Sequence, residues 1–224
     1  MAKLTALLLS DTHGHHRQAV FQTTKKYDLL IHAGDFTNYG ATDEVHDFLQ
    51  WLDVLTQFKD IIYIAGNHDI GYTSAPCVRM SNGTMLHYLH NSSVCINGVN
   101  FYGSPYTPRF FDWDFMYDPS DADDIWSTIP TNTDVLISHG PPHGIMDQCP
   151  DQLGKQTHAG CPSLLAAVKR LPALKLHVFG HIHEGHGMVT QPDGRVSVNA
   201  ASICESVRHP PIEFNIDINR EITR

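Results

Sequence analysis

The chain has 224 residues, of which 42% are hydrophobic and 17% charged, as in an ordinary globular protein with a sizeable core. Its formal net charge of -9 excludes a general electrostatic attraction to long nucleic acids or to anionic membranes. No apolar stretch is long enough to span a bilayer and the N-terminus lacks a signal-peptide layout, so we expect a cytoplasmic protein without membrane contact.

Cysteine and histidine usage narrows the class further. The five cysteines are scattered and form no C-x-x-C pair, which predicts free thiols in a reducing compartment. The 16 histidines exceed the 15 lysines and arginines combined, and histidine is the commonest metal ligand. A bound metal would supply the local positive charge that phosphate binding needs in such an acidic chain. Without repeats or linkers, residues 1–224 are predicted to form a single domain.

The first third of the chain alternates predicted strands and helices. Apolar runs predict buried strands over residues 4–9, 27–33 and 61–65. One helix is expected over residues 15–25, and a second begins at Thr42 as its N-cap. The second helix carries apolar residues at helical spacing: Val45, Phe48, Leu49, Leu52 and Leu55. This alternation is typical of a layered α/β fold.

The remainder of the chain combines short strands with two more helices. Residues 84–104 alternate, with Asn97-Gly98 as a hairpin turn, and residues 105–119 are irregular and aromatic. Helices are predicted over residues 121–128 and 162–170, the second capped at the Gly160-Cys161 turn, and a loop over residues 145–160. Further strands are predicted over residues 134–138 and 175–179, then antiparallel strands over 187–190, 196–200 and 212–218. We expect two sheets, one from each half of the chain, packed face to face with helices outside.

Five predicted strand ends carry side chains that bind metals. Ligands of α/β sheets bind at the carboxyl ends of strands, and residues i and i+2 of an extended segment point the same way. Carboxylate oxygens and imidazole nitrogens suit Mn, Fe, Co or Zn, and two ions together form the clamp used by phosphatases and nucleases. The candidate residues are Asp11 with His13, Asp35, Asn67 with His68, His139, and His181 with His183.

These residues stand in motifs that resemble, in order, the signature blocks of the calcineurin-like metallophosphoesterases. The motifs are Asp11-x-His13, Gly34-Asp35-x-x-Asn38, Gly66-Asn67-His68-Asp69, His139-Gly140 and Gly180-His181-x-His183. Within that superfamily, Ser138-His139-Gly140-Pro141-Pro142 and the run over residues 198–204 look like the branch called metallophosphoesterase domain-containing proteins 1 and 2.

The resemblance implies a four-layer αββα sandwich of two mixed sheets around two divalent metal ions, Mn²⁺, Fe or Zn²⁺. By their places in the motifs, Asp11, His13 and His183 would hold one ion. Asn67, His139 and His181 would hold the other. Asp35 would bridge the two ions, and His68 would lie close by without binding either.

The expected activity is that of a metal-dependent phosphodiesterase. Two divalent ions, two aspartates and a bridging hydroxide leave the site near +1, and the hydroxide would attack phosphorus in line with the leaving oxygen. His68 is the candidate for protonating that oxygen. Asp69 either orients the His68 imidazole or caps the loop.

The substrate is expected to be a small phosphodiester such as a cyclic nucleotide, because the resembled branch is associated with that activity. A phosphomonoesterase or protein phosphatase with the same centre, and a non-catalytic protein-binding scaffold, are the alternatives. In the aromatic stretch, Arg109 could contact a phosphate while its neighbours stack a nucleobase, or the stretch could cover a sheet edge. His143 and His186 could line the pocket or be exposed loop residues. The metal's identity and the oligomeric state stay open.

Overall fold

The structure is a computed structural model that describes residues 2–19, 24–151, 153–204 and 207–218. Within these residues the helices are α1 (Thr42–Asp53), α2 (Ala122–Ser127) and α3 (Pro162–Arg170). The strands up to the middle of the chain are β1 (Ala2–Leu9), β2 (Tyr27–Ala33), β3 (Phe58–Ile64), β4 (Cys77–Arg79), β5 (Met85–Tyr88), β6 (Ser92–Ile96), β7 (Val99–Ser104), β8 (Thr107–Pro108) and β9 (Met116–Tyr117). The strands that follow are β10 (Val135–Ser138), β11 (Gln148–Pro150), β12 (Gln156–His158), β13 (Leu176–Phe179), β14 (Gly187–Thr190), β15 (Val196–Asn199), β16 (Ile203–Cys204), β17 (Val207–Arg208) and β18 (Ile212–Ile218).

Most of these strands form two six-stranded mixed sheets. The first sheet has the order β18-β1-β2-β3-β5-β4, and the second has the order β14-β15-β13-β10-β7-β6. In both sheets the inner strands are parallel and the two edge strands are antiparallel. Parallel inner strands end at the same edge of their sheet, which gathers the loops that follow them.

The alternation of side chains along the strands builds four layers. In β1, Leu4, Ala6 and Leu8 enter a core between the two sheets, whereas Leu7 and Leu9 face the other way. The core between the sheets also takes residues of the second sheet, including Phe101, which is fully buried. Both faces of the inner strands are therefore covered, as parallel sheets require.

The helices cover the outer face of each sheet. Phe48 and Leu52 of α1 are fully buried in a cluster with the outer side chains of β1, β2 and β3. Trp126 of α2 and Leu164 of α3 pack in a cluster against the outer face of the second sheet. The αββα sandwich predicted from the sequence is thereby confirmed. No helix among the described residues has the length and hydropathy to cross a bilayer.

The helix predicted over residues 15–25 is wrong. Residues His16–Gln18 form only a 3₁₀ turn, after which Ala19 is extended, and residues 20–23 lie outside the described part of the chain. The turn is anchored to α1, because the His16 and Arg17 side chains both lie close to the Asp47 carboxylate of that helix. Residues 145–160 are likewise not a plain loop, since β11 and β12 form a short antiparallel hairpin there.

Three smaller expectations also need correction. The sheets are not built one by each half, because β18 returns to pair along β1, from Ala2–Ile218 to Leu8–Ile212. Strand β15 lies parallel to β13, and only β14 pairs with it in antiparallel fashion. Helix α1 begins at Thr42 itself, and the Glu44 carboxylate accepts the Ala41 N–H at 3.1 Å in place of a Thr42 cap. The cap of α3 is as predicted, with Cys161 Sγ accepting the Leu164 N–H.

We predict that Phe101→Ala lowers the free energy of unfolding by about 3–5 kcal/mol, because it opens a cavity between the two sheets. Urea denaturation measures this loss. Phe111→Ala is the matched control, since this ring is 61% exposed and its loss should change stability by no more than about 0.5 kcal/mol. A loss below about 1 kcal/mol for Phe101→Ala would contradict the packing of the sheets against each other.

Candidate metal centre

The side chains from the five predicted strand ends meet in one place. Three overlapping groups have candidate ligand atoms within 4.8 Å of one another: Asp11, His13 and His183; Asp35, His139 and His181; and His13, Asp35 and His68. These residues follow β1, β2 and β3 in the first sheet and β10 and β13 in the second. The site therefore lies where the carboxyl ends of both sets of parallel strands come together.

The backbone at this edge is strained in a way that turns the side chains toward one another. Four predicted ligands have a positive φ, a region that non-glycine residues rarely enter: Asp11 at 52°, His13 at 41°, Asp35 at 55° and His181 at 67°. Such conformations cost about 1–3 kcal/mol each and persist only where the surroundings enforce them. Backbone hydrogen bonds do so here, from Asp11 N to Gly34 O and from His13 N to Asp35 O.

Two glycines leave the room that the clustered side chains need. A Cβ on Gly180 would lie 2.0 Å from Asp11 Oδ2 and 2.2 Å from Ser10 Oγ. A Cβ on Gly66 would lie 2.4 Å from Asp35 Oδ1. Gly66 and Gly180 are therefore required at these positions of the motifs, because the backbone at each passes directly beside a buried carboxylate.

The first group of candidate ligands contains a pair of facing imidazoles. His13 Nε2 lies 3.3 Å from His183 Nε2, and His183 Nε2 lies 3.4 Å from Asp11 Oδ1. Asp11 is fully buried, and although burial opposes its ionisation, the hydrogen bond and charge of His183 hold its pKa well below the usual range. Two ring nitrogens and a carboxylate oxygen thus converge on one point, which fits a cation.

The second group, around Asp35, His139 and His181, is also arranged so that a cation would be stabilised within it. The fully buried His139 lies 3.0 Å from Ala33 O through Nδ1, so its Nε2 faces Asn67 Oδ1 at 2.9 Å and Asp35 Oδ2 at 3.3 Å. A neutral imidazole that donates through Nδ1 has a lone pair and no proton on Nε2. Nε2 and the two oxygens are then all acceptors, so a proton or a metal cation must lie between them. Burial lowers the His139 pKa, but the Asp35 carboxylate outweighs it and raises the value to about 9. The arrangement fits a divalent metal ion.

His68 stands beside these groups and is held from two sides. Its Nδ1 lies 2.8 Å from the Asn38 carbonyl oxygen and its backbone N–H donates to Asp35 Oδ1 at 2.8 Å. Its ring packs on Trp113, with centroids 4.1 Å apart, and meets the His13 ring edge-on at 4.7 Å. With Nδ1 bonded to Asn38, Nε2 is the ring nitrogen left for chemistry.

Asp69 ties two loops together and does not orient His68. Its buried carboxylate accepts the N–H groups of Asp35, Thr37 and Gly66 at 2.9 Å each, and lies 2.7 Å from the Thr37 hydroxyl. The ring of His68 is oriented by Asn38 instead. Burial and the nearby Asp35 carboxylate raise the Asp69 pKa to about 7. Of the two roles considered for Asp69, these contacts favour loop capping.

The geometry can be compared with known proteins. The calcineurin-like phosphoesterase family matches residues 4–185 of the chain. The chain belongs to this family. It is 37% identical over 216 residues to human metallophosphoesterase domain-containing protein 1, covering 86% of this chain, and the mouse protein gives the same values. The chain spans 64% of the length of those two relatives.

Two other relatives are less similar to this chain. The UPF0046 protein K07C11.7 of Caenorhabditis elegans is 33% identical over 234 residues, covering 95% of this chain and 75% of that protein. A protein of Nostoc named 3′,5′-cyclic-nucleotide phosphodiesterase is 26% identical over 168 residues, covering 70% and 56%. The family generally binds divalent metals, and this chain has candidate groups to hold them.

The three predicted substrate residues of this chain lie in different places. Arg109 lines a cavity of about 470 Å³ beside His181 and His183, but its Nε donates to Asp118 at 2.8 Å. His143 is not among the residues lining that cavity, and its Nδ1 lies 3.8 Å from Asp147. His186 stacks on His209, with its Nδ1 2.8 Å from Ala201 O. Only Arg109 adjoins the metal centre through a shared cavity.

Three contacts at the centre were not predicted from the sequence. The Asn38 carbonyl and the rings of Trp113 and Phe110 contact the centre, Phe110 with its centroid 5.3 Å from that of His181. The aromatic stretch of the sequence indicated the two rings. A sequence motif does not reveal a contact made by a backbone carbonyl. The inner rings of the same stretch, Tyr106 and Tyr117, pack in the core.

The histidine surplus is only partly explained by the centre. His32 and His177 are buried, each with a ring nitrogen near a hydroxyl, at 3.0 Å from Thr12 Oγ1 and at 2.8 Å from Ser138 Oγ. Burial lowers the pKa of both to about 3, so they are neutral core residues. His87 pairs with Asp60 at 2.8 Å.

We predict that Asp69→Ala destabilises the protein by about 3 kcal/mol, because it leaves several buried backbone donors unpaired. It should also release bound metal, since it frees the loops that carry Asp35 and Asn67. Urea denaturation and elemental analysis measure the two effects. His68→Ala is the matched control and should retain stability and metal. If Asp69→Ala were stable, metal-replete and merely slow, Asp69 would act through His68 and the loop-capping role would be wrong.

Proposed function

We propose that this chain is a phosphodiesterase that uses two divalent metal ions. Asp11, His13 and His183 would hold one ion, and Asn67, His139 and His181 the other. The observation that carries the proposal is the position of Asp35, whose carboxylate lies 3.9 Å from His13 Nε2 and 3.3 Å from His139 Nε2. One carboxylate thus adjoins both ligand groups, as a bridging ligand would. Manganese, iron and zinc all suit this set of oxygens and nitrogens.

The bound ions would polarise the phosphoryl group and lower the pKa of water toward about 7. The protein's own part is to orient the substrate and to supply a proton. His68 is the proton donor in this proposal, because its Nδ1 is engaged by Asn38 and its Nε2 is left to face the leaving oxygen. Packing on Trp113 restricts the ring to one orientation and covers one of its faces. A positioned acid of this kind contributes about 10²–10⁴-fold.

Charge around the centre supports a diester over a monoester substrate. A second opening of about 310 Å³ beside His13 is lined by three acidic residues, Asp43, Glu44 and Asp47, of which Asp47 is paired with Arg17. Among the described residues of the first cavity, Arg109 is paired with Asp118 and Glu184 adds a negative charge. A diester carries one negative charge where a monoester carries two, and no unpaired lysine or arginine is among the described residues that line either opening.

The cyclic-nucleotide class is the substrate we propose within the diesters. It is supported by the relative named as a cyclic-nucleotide phosphodiesterase and by a cavity of a size that suits a small ligand. We also propose that residues 1–224 form a single domain. A cytoplasmic location is supported by the free thiols of Cys77, Cys95, Cys149 and Cys161.

We predict about two metal ions per chain by elemental analysis and Mn²⁺-dependent hydrolysis of bis-p-nitrophenyl phosphate that exceeds hydrolysis of the monoester. Asp35→Ala should lose both metal and turnover, because Asp35 adjoins both ligand groups. A folded wild-type protein without bound metal, inactive with every divalent ion tried, would favour the scaffold alternative. Faster cleavage of the monoester would favour a phosphomonoesterase.

We predict that His68→Ala retains its metal and loses about 10²–10⁴-fold in kcat on diesters with a poor leaving group. The loss should shrink for p-nitrophenyl esters, whose leaving group needs little protonation. His46→Ala, an exposed histidine of α1, is the matched control and should keep full activity. An unchanged rate of His68→Ala on an alkyl leaving group would remove His68 from the proton-donor role.

A further inference from the structure

A short segment, residues 109–113, contacts the metal centre on two sides. The Phe110 ring lies against His181, with centroids 5.3 Å apart and the planes inclined at 60°. The Trp113 ring lies on His68 at 4.1 Å. Phe110 and Trp113 therefore flank the candidate ligands from one piece of chain that belongs to neither large sheet.

The Phe110 side of the centre borders a cavity, whereas the Trp113 side does not. The cavity of about 470 Å³ is lined by Phe110 together with His181 and His183, but neither His68 nor Trp113 lines it. A proton donor must stand near the oxygen that departs. With His68 in its proposed role as proton donor, the departing group would leave on the His68 side, and the cavity would hold the substituent that stays on phosphorus.

Phe110 is placed to contact that substituent. Its ring is 48% exposed although it lines a cavity, so it offers a surface to a ligand. The neighbouring Phe111 is more exposed, at 61%, touches the Phe110 ring and does not line the cavity. An exposed aromatic face beside a reacting centre is suited to stack on a planar group, as aromatic side chains do with nucleobases.

The charges of the cavity select against a second anionic group. The Arg109 guanidinium donates to Asp118 at 2.8 Å and lies 3.8 Å from Asp112. Glu184 is among the residues that line the same cavity, and burial together with Glu184 and Asp147 raises the pKa of the Cys149 thiol, which keeps it uncharged. No unpaired lysine or arginine stands among the described residues that line the cavity.

We propose that Phe110 is a specificity-determining residue that stacks on an uncharged aromatic substituent of the phosphodiester, such as a nucleoside, and that this substituent stays on phosphorus. The inference rests on the proposed phosphodiesterase function and names the substrate class of the same site. Glu184 adds to the selection by disfavouring a substituent that carries its own phosphate.

Three chromogenic diesters with the same leaving group test this. They are the p-nitrophenyl esters of methyl phosphate, of thymidine 5′-phosphate, and of thymidine 5′-phosphate with a further 3′-phosphate, each assayed with the Mn²⁺-loaded protein. Phe110→Ala should lower kcat/KM for the thymidine ester about tenfold through KM and leave the methyl ester unchanged within about twofold. Phe111→Ala is the matched control and should leave the rates on all three esters unchanged.

The third ester tests the charge argument. The wild-type protein should cleave it more slowly than the thymidine ester, and Glu184→Gln should narrow that difference. An equal loss on the methyl and thymidine esters would show that Phe110 only supports His181, and no loss on either would remove it from substrate contact. Both results overturn the inference while leaving the phosphodiesterase intact. A wild-type protein that cleaves none of the three esters would overturn the proposed function itself.

Discussion

Negative charge buried in a small volume is the constraint on which this structure depends. Asp11, Asp35 and Asp69 are buried at the edge where the two sheets meet, and the Asp35 charge raises the pKa of its neighbour Asp69. Buried carboxylates are tolerated only when donors or cations compensate them. Backbone N–H groups and the Thr37 hydroxyl satisfy Asp69. Asp11 and Asp35 each accept one backbone N–H group as well, but they also face imidazoles whose nitrogens converge on the same space. Two of the three carboxylates thus require positive charge, which divalent metals would provide.

The fold meets this constraint by bringing strand ends from two sheets to one edge. Every candidate ligand stands on a loop that follows a parallel inner strand, so rigid elements position residues far apart in the chain. The turns that point them inward are unfavourable by themselves, with four ligands at positive φ and two glycines pressed against carboxylates. The packed core between the sheets supplies the stability that holds such a strained edge in place.

The proposed chemistry and the proposed selectivity involve different parts of the molecule. The clustered ligands follow strands of the two large sheets, whereas Arg109 and Phe110, which line the cavity, belong to neither of those sheets. A segment outside the sheets can change without disturbing the buried carboxylates. Phosphoesterases with the same kind of metal centre can therefore differ in substrate. In this chain we expect the substrate preference to depend on Phe110, which lines the cavity.

The sequence by itself determined the layered fold and the candidate ligands. Continuous apolar runs mark strands such as β1 and β2, whose side chains enter two cores, and local motifs mark the strand ends at Asp11, Asp35 and His181. Only the tertiary structure decided the rest. The return of β18 to β1, the Asn38 carbonyl on His68 and the loop-capping role of Asp69 join residues far apart in the chain or use backbone atoms. The short turn at His16–Gln18 depends on Asp47, a residue of another element. Such contacts leave no local pattern, because they are set by how packed elements meet rather than by neighbours in the chain.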